Sequence, residues 1–138
     1  EMVGSGMKQL AISQPFASVQ ERKALLPVVE ESCAKHHTNY YLEDRLLVSD
    51  LFPISFSEGR CVILFYRDEQ VIRSYLNLKR VKAEALRRKE YFTVRAAIAY
   101  QFGALLSYPQ QRIEEMIAEN QERERYDEGL AYPGRSGQ

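Results

Sequence analysis

Residues 79–106, KRVKAEALRRKEYFTVRAAIAYQFGALL, decide how the rest of the chain is read. Their first half is basic: Lys79, Arg80, Lys82, Arg87, Arg88 and Lys89 are opposed only by Glu84 and Glu90. Their second half is nearly all apolar. Tyr91, Val94, Ile98, Phe102 and Leu105 step by three and four, the spacing that stacks side chains on one face of a helix. The pattern predicts one helix over residues 83–106, charged where it begins and buried where it ends. Gly103 inside it costs roughly 0.5–1 kcal/mol relative to alanine, so a close neighbour should offset it. With Ala96 and Ala99 it forms a low-relief face. That face fits another helix, either the N-terminal one of the same domain or one from a second copy.

Upstream, residues 71–78 read two ways. Val71, Tyr75 and Leu78 fit helical spacing, with Asp68 as a cap. The β-branched and aromatic residues at the start favour a strand, which is the expectation adopted. Residues 61–66, CVILFY, form an unbroken apolar run of strand length and predict the central strand. The turn before it uses Gly59, which is free to take positive φ. Phe52, Ile54 and Phe56 alternate with Pro53 and Ser55, which predicts a further strand, held to an edge because Pro53 has no amide donor.

Nearer the N-terminus, Leu10 and Ile12 suggest a short extended segment. Ser18 and Glu21 have the spacing of a capping box, so a helix starts near Val19 with Val19, Leu25 and Leu26 as core candidates. Pro27 should kink or end it, and the helical pattern resumes to about Lys35. The polar stretch His36, His37, Thr38 and Asn39 breaks it. At the other end, Ser107, Tyr108 and Pro109 end the long helix and begin another. Ile113, Met116 and Ile117 are that helix's apolar stripe, and the pattern continues it past Ala118 to Gly129 as an acidic rod that projects from the body or lies loosely across it. The fold class is therefore α+β: a small antiparallel sheet within residues 46–78, an N-terminal helical segment and two C-terminal helices.

The chain has 138 residues, of which 45% are hydrophobic, enough for one domain with a modest core. Residues 1–6 read as an expression remnant, 7–128 as the domain and 129–138 as a flexible tail. The formal net charge is zero, so no global field draws the protein to nucleic acid or an anionic membrane. Charge is nevertheless segregated. Residues 79–95 carry seven basic and two acidic side chains, and residues 110–128 three basic and seven acidic. Two cysteines are too few for a disulfide framework, and Arg95 interrupts the longest apolar stretch well short of the ~20 residues of a membrane span. A reducing cytoplasm and no membrane association are the expectations.

Residues 7–19, MKQLAISQPFASV, are similar to the opening of ASCH-type RNA-binding domains, in which a strand leads into a Q-P-aromatic-A turn. The remainder does not follow that β-barrel pattern, so no family is assigned.

Few residues suggest chemistry. Cys33 and His36 could share a helix face, and thiolate with imidazole suits zinc, but the paired spacing of zinc sites is missing and Cys61 lies in an expected core strand. Between Met7 and Glu128 the only glycines are Gly59 and Gly103, so there is no phosphate cradle. No G-x-S-x-G element accompanies the two histidines. The reading is a protein with no catalytic, cofactor or metal site. It is expected to act through protein–protein contacts, as an adaptor, regulator or inhibitor. The partner-binding candidates are Arg80, Lys82, Arg87, Arg88 and Lys89 on the basic side, and Glu115, Glu119 and Glu122 on the acidic side. The alternative is a nucleic-acid-binding regulator using the same basic residues, with aromatics such as Tyr91 in support.

Overall fold

The computed structural model describes residues 8–125; the expected remnant at 1–6 and tail at 129–138 lie outside them. The apolar run after Gly59 forms the strand Val62–Tyr66, with Asn39–Glu43 and Leu10–Ile12 antiparallel on its two sides. In chain order these are β1 (Leu10–Ile12), β2 (Asn39–Glu43) and β3 (Val62–Tyr66), so the sheet order is β1-β3-β2. The register pairs Leu10 with Tyr66, and Tyr41 and Ile12 with Leu64. One face of the sheet thus gathers Leu10, Val62, Leu64 and Tyr66 of the main core, with the partly buried Ile12 and Tyr41 packed against it. The other face carries Tyr40 and Ile63.

The helices are α1 (Val19–Ala24), α2 (Leu26–His36), α3 (Ile54–Ser57), α4 (Glu69–Arg87), α5 (Tyr91–Leu105) and α6 (Gln110–Glu119). The α+β class stands, with different segments in its sheet. Only the central strand comes from residues 46–78, and β1 and β2 are recruited from upstream.

Residues 71–78 are helix, not strand. Asp68 accepts from the Gln70 amide at 2.9 Å as the N-cap, and Val71, Ile72, Tyr75, Leu78, Lys82 and Ala85 form the buried stripe of α4. The β-branched start is outweighed by a stripe that keeps helical period over four turns. Nor is there a strand at Phe52, Ile54 and Phe56. Pro53 precedes the short α3, whose turn brings the Phe52 and Phe56 rings to 4.9 Å. A spacing of four serves a helical turn as well as alternation does a strand.

The single helix expected over residues 83–106 is two helices. Lys89 takes φ 60°, the Glu90 amide donates to the Ala85 carbonyl at 2.7 Å, and the Lys89 amide to Leu86 at 3.1 Å. This is a Schellman turn with lysine where glycine is usual. It folds α5 back along α4, so that Tyr91, Ile98 and Phe102 reach the same core as Tyr75. Ser107 (φ 68°) ends α5 in the same way, with Tyr108 donating to Gly103 and Ser107 to Ala104. The neighbour that Gly103 requires is α6, not the N-terminal helix: a Cβ there would lie 2.6 Å from Ile113 Cγ1 and 2.7 Å from its Cδ1.

The capping box holds in part. Glu21 donates its amide to Ser18 Oγ at 3.0 Å, while its carboxylate accepts from the Ala17 amide rather than that of Ser18. Pro27 sits in the first turn of α2 and separates it from α1. Of the expected core positions, Val19 and Leu25 are exposed and Leu26 is half-buried. Arg22 is the buried residue of α1. Its Nη1 donates to the carbonyls of Glu43 and Val62, both at 3.1 Å, and its Nη2 to Asp44 at 2.6 Å. Tyr40 Oη donates to Glu30 of α2, so α2 lies over the second face of the sheet.

Candidate interaction surface

The charges of α4 divide by face. Its inward side meets a loop, residues 45–52, that is buried at Leu46, Leu47, Ser49, Asp50 and Leu51. A buried loop needs partners for its backbone. Lys79 Nζ donates to the Arg45 carbonyl at 2.8 Å, Lys82 Nζ to Val48 at 2.7 Å, and Asn120 Nδ2 to Asp50 and Phe52 at 2.9 and 3.0 Å. The Leu47 amide donates to Tyr75 Oη at 2.9 Å, while that hydroxyl donates to Glu43 Oε2 at 2.6 Å. Burial, then the Glu43 carboxylate beside it, pushes the Tyr75 phenol far above its ordinary range.

Lys82, expected as a partner contact, is consumed here. It is 8% exposed and donates to Glu124 Oε2 at 2.7 Å, over the face of the Tyr91 ring. Burial pushes its ammonium below the ordinary lysine range, and Glu124 opposes that shift. Tyr91 Oη donates to the other Glu124 oxygen at 2.9 Å. Arg95 grips Asp50 through two bonds, of 3.0 and 2.9 Å, and donates to the Glu124 carbonyl at 2.7 Å. Of the aromatics near the basic segment, Tyr91, Tyr66 and Tyr75 are buried and offer no ring for a base to stack on, whereas Phe92 is exposed.

This cluster also corrects the acidic rod. Helix α6 stops at Glu119, and residues 120–125 fold back on the body. Arg123 donates to the Ile117 carbonyl. Glu122, a partner candidate, accepts from the Ser55 amide at 3.0 Å at the start of α3, and that contact holds its carboxyl below the usual range. Glu115 pairs with Arg112 at 3.3 Å, and Glu119 lies 4.0 Å from the same guanidinium, both on the exposed side of α6.

The outward side of α4 is different. Arg73, Asn77, Arg80, Glu84 and Arg87 step by four and three, so they share one exposed stripe with Arg88 beside them. From Arg73 to Arg88 the stripe runs about 22 Å at 1.5 Å per residue. Arg87 and Arg88 both close on Glu84 and, with the Arg87 bond foremost, hold its carboxyl below the ordinary range. Lys89 is exposed in the left-handed turn, off the stripe. Arg80 bonds the Asn77 side-chain oxygen within the stripe. Arg73 was missed because residues 71–78 were expected as a strand; helical spacing from Arg80 back to Arg73 was the signal that would have found it.

Between this stripe and α5 lie contiguous hollows. One, of about 620 Å³, is lined by Gln9, Gln70, Arg73, Asn77, Arg80 and Gln101, with Leu78, Ala104 and Leu105 among its apolar walls. Another, of about 450 Å³, sits between Arg80, Arg88 and Val94 near the α4–α5 turn. Elsewhere, Cys33 and Cys61 are both buried and free of disulfides, and His36 is exposed. Among the described residues no three histidine, cysteine, aspartate or glutamate side chains are grouped as a metal site. No described helix is long and apolar enough to cross a membrane. No family model matches the chain, and comparison with curated proteins and with solved structures finds no match.

Proposed function

We propose that this is a non-catalytic protein, of a reducing cytoplasm, that works through protein–protein contacts as an adaptor, regulator or inhibitor. The outward stripe of α4 is its contact surface. The observation that supports this is the division of cations on that helix. Lys79 and Lys82 are bound to carbonyls and carboxylates of the same molecule, while Arg73, Arg80, Arg87 and Arg88 face outward and three of them, Arg73, Arg80 and Arg88, line hollows with apolar walls. Arginine flanking recessed apolar surface is the composition of protein interfaces, in which arginine is enriched and lysine depleted.

A nucleic-acid-binding regulator is the second reading, favoured by the length of the arginine stripe and its single internal acid, Glu84. Fluorescence anisotropy with labelled single- and double-stranded nucleic acids, at low and near-physiological salt, separates the two. The protein-contact reading expects no binding at near-physiological salt. Binding that falls steeply with salt and disappears in Arg87→Glu/Arg88→Glu would replace it with the second reading.

A further inference from the structure

We infer that the hollow between α4, α5 and Gln9, just before β1, receives an extended acidic segment of a partner protein, with two carboxylates three residues apart. The inference rests on the protein-contact reading and names the chemistry of the partner. No aspartate or glutamate is among the described residues that line the 620 Å³ hollow, yet Arg73 and Arg80 both do. Those two arginines are two helical turns apart, about 10.5 Å along the axis, and on the same stripe. An extended segment in the polyproline II form has three residues per turn and rises about 3.1 Å per residue. Its residues i and i+3 therefore point the same way about 9 Å apart. Arginine side chains are long enough to absorb the difference, and each guanidinium can hold a carboxylate through two parallel bonds.

The rest of the lining fits the same guest. A polyproline II backbone makes no internal hydrogen bonds, so its amides and carbonyls need outside partners. Gln9, Gln70, Asn77 and Gln101, which line the hollow, carry amide donors and acceptors. The side chains of Leu78, Ala104 and Leu105 give an apolar floor for a residue between the two acids. Arg87 and Arg88 are not needed, because both already hold Glu84.

The test is anisotropy of fluorescein-labelled peptides in which two glutamates are separated by two prolines, by one proline or by none. Wild type is compared with Arg73→Gln/Arg80→Gln and with Arg87→Gln/Arg88→Gln, and circular dichroism confirms that each variant is folded. The inference expects the two-proline peptide to bind best, and to bind about tenfold more weakly to the Arg73/Arg80 variant. The Arg87/Arg88 variant should bind it as wild type does. Equal affinity for all spacings, equal loss in both variants, or no peptide binding would overturn the inference. A labelled oligonucleotide in the same series keeps the two failures apart. Its salt-sensitive binding would sink the protein-contact reading itself, whereas its absence alongside a failed peptide series would sink only the acidic segment.

Discussion

Tyr75 shows how one side chain can hold two parts of the fold at once. Its hydroxyl donates a hydrogen bond to Glu43 at the end of β2 and accepts one from the amide of Leu47 in the buried loop. Replacing it with phenylalanine leaves that amide without its partner in the interior, so Tyr75→Phe should cost about 1–3 kcal/mol in urea unfolding. Tyr75 and Tyr91 both have phenol pKa values raised above the ordinary 10.0, by burial first and by a neighbouring carboxylate second. Below pH 10 they are protonated in folded and unfolded chains alike, and the stability they contribute is fully present. As pH rises above 10 the unfolded chain loses those protons while the folded one keeps them, so that stability is lost. Lys82, shifted down from 10.5, acts in the opposite sense, because its contribution grows as pH rises toward that value. Unfolding free energy measured above pH 10 should therefore fall less steeply in Tyr75→Phe than in wild type. Equal slopes would show that the phenol is not buried against Glu43. Lys82 itself was legible: it continues the row Val71, Tyr75, Leu78, Lys82, Ala85, which steps by four and three. That row becomes visible only when residues 71–78 are read as helix.

At the scale of the element, the decisive event is the turn at residues 88–90. No glycine, proline or asparagine marks it, and helical periodicity runs through it, which is why one helix was expected there. The break comes from tertiary packing. A straight helix would carry Ile98 and Phe102 away from Tyr75, whereas the hairpin sets the Phe102 and Tyr75 rings 5.7 Å apart. Lysine in the left-handed region costs about 1–2 kcal/mol, a cost glycine does not incur. Lys89→Gly should thus raise stability by about 1 kcal/mol in urea unfolding, and Lys89→Val should lower it. A loss on Lys89→Gly would mean that the lysine side chain stabilises the turn. Elements with local signals were easier to find. Asp68 is the cap of α4, and Ser18 and Pro109 begin helices near their expected places. Helix α1 was placed well but faced wrongly. It is held by the bonds of Arg22 to strand carbonyls, not by Val19 and Leu25, and no apolar pattern announces such an arrangement.

For the whole molecule, zero net charge conceals a segregation that is partly satisfied within the chain. Among the described residues the basic segment and the acidic C-terminal segment meet at Glu124, through Lys82 on the inward side of α4 and Arg95 on α5. The candidate surface was half legible for that reason. Sequence gathers the cations into one segment, while only the helix phase says which of them face a buried loop and which face solvent. Lys82 is buried against Glu124 and Glu122 accepts from the Ser55 amide, while Arg73 and Arg80 lie on the outward stripe of α4.

The most direct test of this division is urea unfolding of Lys82→Ala beside Arg80→Ala, two residues apart on one helix. Lys82→Ala strands a buried carboxylate and should lose about 3–5 kcal/mol. Arg80→Ala removes an exposed charge and should stay within about 0.5 kcal/mol of wild type. Similar losses in the two variants would contradict the account, because α4 would then have no separate inward and outward cations.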